Sequence, residues 1–303
     1  MANANSDSYY VPHNGWYPIW AAFGLFMIVY GLGGWLNDLK AGAEPGLIGL
    51  YIGSFVLTAT LFFWFAKVVE ENHAGLNNAQ VKQSYVWGMG WFIFSEVMFF
   101  LAFFGALLYV RVFAVSWIGG EGDKGLTGDY LWPDFEPVWP VVNNPDPSVF
   151  TNPHESMKLK SFADLATYLP FFNTVVLVFS SFTVHWAHAA VKAEQRNKLV
   201  GWLAFTVVLG VIFIFLQAEE YIEAYNHLGL TLDSGIYGST FFLLTGFHGF
   251  HVSLGTFMLF VQLVRAYRGH FTASDQFGLE ASSWYWHFVD VVWICLFFFV
   301  YIL

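Results

Sequence analysis

Charged side chains are scarce in this chain of 303 residues. They make up 11% of it, less than half of the roughly 25% that is usual in soluble domains. Cysteine occurs once, at Cys295, which excludes a disulfide framework and a metal site built on a CxxC pair. Lys and Arg number 12 against 22 Asp and Glu, and the net charge of −10 argues against a surface that binds nucleic-acid phosphates.

Apolar side chains are abundant instead: 57% of the residues are hydrophobic and 21% are aromatic. A soluble chain of this length could not bury so much apolar surface. The composition therefore indicates an integral membrane protein.

Seven apolar stretches are long enough to cross a bilayer, which takes about 20 residues in a helix. They comprise approximately residues 16–36, 46–69, 84–115, 169–191, 199–218, 237–264 and 277–303. The runs are continuous, whereas the strands of a membrane β-barrel alternate over about 10 residues. We therefore predict an all-α integral membrane protein with seven transmembrane helices.

Basic residues lie mainly in the links after the second, fourth and sixth stretches. They are Lys67, Lys82, Lys192, Arg196, Lys198, Arg265 and Arg268. The short link after the first stretch has only Lys40, and the link assigned after the fifth has Glu219, Glu220, Glu223 and Asp233 but no basic residue. The positive-inside rule then predicts a cytoplasmic N-terminal segment, residues 1–15, and a periplasmic C-terminus in a bacterial-type inner membrane. That N-terminal segment has no basic n-region, so we expect no cleaved signal peptide.

The long link at about 116–168 is the one clear break in composition. Seven of the ten prolines fall between Pro133 and Pro170, and proline-rich sequence favours turns and extended chain. We expect an ordered external lobe here, with a disordered loop as the alternative.

Glu96 is a carboxyl residue deep inside the third apolar stretch, in WFIFSEVMFFLAFF. A charge at the centre of a membrane helix costs about 2.5–3.5 kcal/mol on insertion scales, and desolvation favours the neutral form. Two interpretations remain open. Glu96 is either a proton-exchanging or regulatory carboxyl, or a neutral side chain bonded to another helix.

Asp290 and His287 lie three residues apart in the seventh stretch, so they share one helix face. We expect an Asp–His hydrogen bond that faces the bundle, with a proton relay as the alternative. Glu280 lies near the cytoplasmic end of the same stretch.

Two histidine pairs lie inside apolar stretches: His185 with His188, and His248 with His251. Intramembrane histidines can ligate haem or copper. Both pairs have i, i+3 spacing, however, and a helix that ligates two stacked haems needs histidines well over ten positions apart. We therefore interpret all four as polar contacts between helices or to lipid headgroups, and we expect no metal on this chain.

Five strings, one in each of the last five stretches, carry a family resemblance. They are SEVMFF, FNTVVLVFSSFTVHWAHAA, LGVIFIFLQAEEY, GIYGSTFFLLTGFHGFHV and FGLEASSWYWHFVDVVW. Together they closely resemble subunit III of the haem–copper cytochrome c oxidases, over about 15–119 and from 171 to the C-terminus. The resemblance implies a two-helix bundle, 16–75, and a five-helix bundle, 76–303, with a lipid-filled V-shaped cleft between them.

The same resemblance implies an accessory subunit of a respiratory oxidase that reduces O2 to water and pumps protons. In that family this subunit carries no haem or copper, since redox chemistry and pumping belong to subunit I and electrons enter through subunit II. Subunit III packs on subunit I, binds phospholipid and sustains proton uptake. Cytochrome c is then a partner only through the complex, and nucleic acid is not a partner.

Residue by residue, Glu96 matches the family's carbodiimide-reactive carboxyl, and Arg265 matches a basic position associated with lipid headgroups, with Arg268 beside it. Trp64 and Glu70 match a second lipid-facing stretch. That stretch departs from the family pattern at its intervening positions, and the long link is longer than the common form.

Two other classes of function stay open at this point. The four paired histidines would suit a di-haem membrane electron carrier, and Glu96 with Asp290 would suit a stand-alone proton-coupled transporter. The lack of an internal repeat counts against the transporter.

Overall fold

The computed structural model describes residues 9–12, 15–273 and 275–303. Most of the predicted N-terminal segment, 1–15, therefore lies outside the described residues. The described chain is helical and contains no strand, only an isolated bridge between Thr272 and Asp275. The predicted all-α class is confirmed.

The helices follow one another with short connections, apart from one long link. Their bounds are α1 Trp16–Ala41, α2 Ile48–His73, α3 Ala79–Tyr109, α4 Val115–Ile118, α5 Leu126–Leu131, α6 Leu169–Lys192, α7 Arg196–Asn226, α8 Gly235–Tyr267 and α9 Phe277–Leu296. Two of them, α4 and α5, are very short. One π-helical segment, Val110–Ala114, joins α3 to α4, and another, Phe297–Ile302, extends α9. Across the described ranges, seven helical stretches are long and apolar enough to cross a membrane, which confirms the predicted number.

Helix α7 is longer than the sequence suggested. It continues to Asn226, so the assignment of Glu219, Glu220 and Glu223 to a link was wrong. The stretch QAEEYIEAYN is rich in Gln, Ala and Glu, which have high helix propensity. Polarity alone therefore did not end the helix.

The described chain divides into two compact units, one ending at Gly88 and the other beginning at Met89. In the N-terminal unit, α1 packs on α2 through glycines. A Cβ at Gly31 would lie 2.4 Å from the Leu50 nitrogen, and a Cβ at Gly53 would lie 2.6 Å from the Ile28 nitrogen. Small residues let membrane helices approach to backbone contact.

The second unit is a helical bundle in which α6 to α9 pack as sequential neighbours and α9 also contacts α6. Its core is large and aromatic, and Trp286, Trp293, Tyr285 and Tyr301 are fully buried. Helix α3 contacts this bundle through rings: Phe99 lies 5.0 Å from Phe247 of α8, centroid to centroid.

The long link is tied by hydrogen bonds to one end of the bundle. The Thr151 and His154 amides donate to the carbonyl oxygens of Asp233 and Leu228, which flank the turn between α7 and α8. The Met157 amide donates to the Tyr237 hydroxyl at 2.9 Å. These bonds fix the link against the ends of α7 and α8.

Candidate functional site

The Glu96 carboxyl of α3 meets His251 of α8. Glu96 Oε2 lies 2.9 Å from His251 Nε2, and the two side chains are 22% and 8% exposed. The other ring nitrogen of His251, Nδ1, lies 2.6 Å from the carbonyl oxygen of Phe247. The histidine thus connects the carboxyl to the backbone of α8.

The protonation pattern of this pair follows from its partners. A carbonyl oxygen only accepts hydrogen bonds, so Nδ1 of His251 carries a hydrogen and donates it to Phe247. One further proton then lies between Nε2 and the carboxyl. The pair is either a neutral acid donating to a neutral imidazole or a carboxylate accepting from an imidazolium.

Aromatic rings enclose His251. Its ring centroid lies 5.0 Å from that of Phe100, 6.0 Å from Phe99 and 6.5 Å from both Tyr285 and Phe288. A hydrogen bond in such a low-dielectric setting is electrostatically stronger than in water. The Glu96–His251 contact therefore fixes α3 to α8.

A second polar cluster joins α6 to α9. Ser181 Oγ donates to Asp290 Oδ2 at 2.5 Å and lies 2.7 Å from His287 Nδ1. His287 Nδ1 and Asp290 Oδ2 are 3.7 Å apart, which is too far for a direct hydrogen bond. The two side chains do share one face, as expected, and Ser181 bridges them.

The cluster contains serine, histidine and aspartate but not the arrangement of a hydrolase. In a catalytic triad the serine donates to the histidine, which in turn donates to the aspartate. Here the serine hydroxyl lies between the other two groups and donates to Asp290 Oδ2, so the aspartate contacts the serine and does not orient the histidine.

The remaining histidines have separate surroundings. His248 is fully buried, with Nε2 at 3.3 Å from the Val289 carbonyl oxygen, whereas His185 is exposed and His188 is half-buried. In the part of the chain that the structure describes, no three or more His, Cys, Asp or Glu side chains converge as metal ligands.

The basic residues at the end of α8 differ in exposure. Arg265 is half-buried, bonds to Gln262 Oε1 at 3.0 Å and stacks its guanidinium 4.8 Å from the Phe271 ring centroid. Arg268 is exposed, and Glu280 is half-buried in the first turn of α9. The structure thus leaves Arg268 open to the surroundings and holds Arg265 in place.

In the N-terminal unit, Trp64 and Glu70 occupy the second half of α2. Trp64 stacks on Tyr17 of α1 at 5.9 Å between centroids. Glu70 Oε2 lies 3.2 Å from Lys67 Nζ, with the two side chains 70% and 46% exposed. Lys67 and Glu70 are therefore paired with each other.

Sequence reasoning missed Ser181 and placed Glu220 in a link, although Glu220 is fully buried and accepts a hydrogen bond from Tyr301. Both residues lie on apolar helices that also carry several other polar side chains. Neither residue therefore stands out in the sequence. Helical spacing could have predicted the burial of Glu220, because it follows the three- and four-residue spacing of the other residues that α7 buries.

Comparison with known proteins gives one consistent family. The family model described as cytochrome c oxidase subunit III matches residues 7–121 and 159–303. A relative named cytochrome c oxidase subunit 3 from Lumbricus terrestris is 35% identical over 292 residues, covering 96% of this chain and 95% of the relative. Relatives of the same name from Tetraodon nigroviridis and Drosophila melanogaster are 36% and 34% identical, over 94% and 99% of this chain and 93% and 97% of their own length.

Proposed function

The chain belongs to the cytochrome c oxidase subunit III family, and from this membership we propose that it is an accessory subunit that carries no redox cofactor. It is a multi-pass membrane protein and part of an oxidoreductase complex. We propose further that it packs on subunit I, contacts subunit II, and supports proton uptake without conducting protons itself. Haem and copper then belong to the partner subunits, and cytochrome c meets this chain only through the complex.

The Glu96–His251 pair is the observation that carries the last part of this proposal, that the chain does not conduct protons itself. Its hydrogen bonds run from the Glu96 carboxyl to His251 and end at the Phe247 carbonyl. A peptide carbonyl has no proton to pass on, and apolar rings surround the histidine. This arrangement supports a contact that holds α3 against α8 better than a step in a proton route.

The surroundings of the other histidines support the same assignment. His248 is buried between Phe213 and Trp293, whose ring centroids lie 5.7 and 5.0 Å from its own, and His251 is engaged by Glu96. These partners favour packing and hydrogen bonding over ligation of a haem pair.

Glu96→Gln in the assembled oxidase tests the structural role, because Gln donates a hydrogen bond but cannot release a proton. We expect this variant to keep most of its turnover and its proton stoichiometry and to lose labelling by a hydrophobic carbodiimide. Glu280→Gln is the matched control and should keep the labelling. Glu96→Ala removes the bond to His251 and should shorten the catalytic lifetime.

A different result for Glu96→Gln would reject the structural role. If a fully assembled complex with this single change turned over normally but no longer pumped protons, Glu96 would belong to the proton route.

Bound phospholipid is the second element of the proposal. A basic residue near an anionic membrane surface contributes about 1 kcal/mol, and Arg268 is exposed at the end of α8. We propose that Arg265 and Arg268 contact lipid headgroups, and that Trp64 and Glu70 face lipid in the N-terminal unit. Replacing both arginines with Ala should reduce co-purified anionic lipid, and an unchanged lipid content would contradict this assignment.

The proposed orientation has the long link on the periplasmic side of a bacterial-type inner membrane. In a Cys295→Ser background, Tyr130→Cys places a thiol on a side chain that is 81% exposed, and Tyr267→Cys places one that is 72% exposed at the end of α8. A membrane-impermeant thiol reagent added outside should label only the first variant. Labelling of the second variant alone would reverse the orientation.

A further inference from the structure

Three polar side chains of α6 and α7 are buried with atoms that bond to nothing in the described chain. Asn173 and Glu220 are 0% exposed and Gln217 is 6% exposed. Both polar atoms of Asn173, both of Gln217, and Glu220 Oε2 have no hydrogen-bond partner. Native proteins rarely leave buried polar atoms bare, because each one gives up its bonds to water.

The register of the two helices places Asn173 and Gln217 at about one level, with Glu220 one turn further along α7. Helices α6 and α7 are antiparallel neighbours, and Thr183 Oγ1 lies 2.8 Å from Thr206 Oγ1. Asn173 is ten residues before Thr183, and position 216 is ten residues after Thr206, so both lie about 15 Å from that contact, in the same direction.

All five residues are buried. Asn173 and Thr183 belong to the buried stripe of α6, and Thr206, Gln217 and Glu220 belong to the buried stripe of α7. Gln217 lies beside the Glu220 carboxyl but outside hydrogen-bond geometry. The three side chains are thus buried at neighbouring levels of the α6–α7 pair.

Several tyrosines lie around the Glu220 carboxyl. Tyr301 donates a hydrogen bond to Glu220 Oε1. Tyr168, Tyr221 and Tyr237 also lie within electrostatic range of Glu220. The charged residue within that range is another acid, Glu223. Glu220 therefore has no cationic partner among the described residues that could satisfy Oε2.

The unpartnered atoms comprise both donors and acceptors. Two amide groups offer hydrogens, and two amide oxygens and one carboxyl oxygen offer lone pairs. A metal cation would satisfy the oxygens alone, whereas water both donates and accepts and commonly bridges such buried groups. We propose that Asn173, Gln217 and Glu220 form a binding site for ordered water molecules inside the bundle, closed by Tyr301.

This water site links three parts of the second unit. Water molecules bound there connect α6 to α7, and the Glu220–Tyr301 bond connects both to the π-helical end of the chain. The inference does not depend on the accessory role proposed above, because it uses only contacts within this chain.

Electron cryomicroscopy of the assembled oxidase, at a resolution that shows water, tests the site. We expect density within hydrogen-bond distance of Glu220 Oε2 and of both amide side chains. Glu220→Gln should keep that density, since Gln also bonds to water. Glu220→Leu and Asn173→Leu should each remove at least half of it, and Thr183→Val, on the same stripe, should leave it unchanged.

Two outcomes would overturn the proposal, and both can be seen in the unaltered protein even if the leucine variants fail to assemble. One is a map in which rotated amides bond directly to the carboxyl with no density between them. The other is density that grows when sodium is replaced by rubidium in the buffer, which would identify a monovalent cation in place of water.

Discussion

Helices α1 and α2 are as apolar as the helices α6 to α9, yet they bury far less of their surface. In the most apolar 18-residue segment of each helix, the mean hydropathy is 1.7 for α1 and 1.8 for α2, and 11% of the residues are buried in both. The corresponding segments of the four helices α6 to α9 have mean hydropathies of 1.4 to 2.7, and 33–56% of their residues are buried. Hydropathy therefore indicates which segments enter the membrane but not how they pack.

The two units pack by different means. Helices α1 and α2 meet through glycine backbone, whereas α6 to α9 combine large buried rings with side-chain hydrogen bonds such as Trp293 Nε1 to Thr174 Oγ1 at 3.0 Å. Lipid tails are as apolar as leucine, so burial of apolar surface contributes little to association between membrane helices. Close packing and hydrogen bonds must hold each unit together.

The largest effect should come from the bundle core. Trp293 is 0% exposed and Trp91 is 66% exposed, so they form a matched pair. Trp293→Ala should destabilise the folded chain by about 3–5 kcal/mol, because it leaves a cavity and removes the bond to Thr174. Denaturant unfolding in mixed micelles measures this, and Trp91→Ala should change stability little. Equal losses for the two variants would show that burial within the chain does not decide stability here.

The glycine contact of the N-terminal unit gives the next effect. Gly31→Ala adds a methyl group that would lie 2.4 Å from the Leu50 backbone, while no atom lies within 4 Å of a Cβ at Gly33. We expect Gly31→Ala to cost about 1–3 kcal/mol through overpacking and Gly33→Ala to be tolerated. Cysteine cross-linking between α1 and α2 would report their separation, and equal cross-linking in both variants would argue against a glycine-mediated contact.

The polar bridge in the bundle should contribute less. Ser181→Ala removes the hydroxyl between His287 and Asp290, and side-chain hydrogen bonds between membrane helices contribute about 0.6 kcal/mol on average and about 1.7 at most. Ser253→Ala is the control, because that hydroxyl bonds only to the Gly249 carbonyl of its own helix. The same unfolding assay compares them, and a loss as large as that of Trp293→Ala would mean that polar contacts dominate the bundle.

The exposed ion pair of α2 should have the smallest effect. The side chains of Lys67 and Glu70 are 46% and 70% exposed, and such pairs contribute about 0–1 kcal/mol. Lys67→Ala should leave unfolding nearly unchanged at moderate salt, as should Lys40→Ala at the end of α1. A clear loss for Lys67→Ala alone would indicate that Lys67 binds a further group, such as a lipid phosphate.

Candidate residues were easier to find from the sequence than their partners. Glu96 is conspicuous because a carboxyl in an apolar run is costly, but its partner His251 lies 155 positions away. For His287 and Asp290 the i, i+3 spacing predicted a shared face correctly, yet Ser181 from another helix intervenes. Glu220 was assigned to a link because its surroundings in the sequence are polar, although the fold buries it completely.

The sequence by itself determined the membrane class, the seven helical stretches and, through five strings, the family. These properties depend on local composition, since a helix satisfies its own backbone hydrogen bonds wherever an apolar run is long enough. The tertiary structure decided which polar groups meet: Glu96 with His251, Ser181 with Asp290, and Glu220 with Tyr301. Each of these contacts joins helices far apart in the chain, so it depends on helix register and rotation, which local composition does not specify.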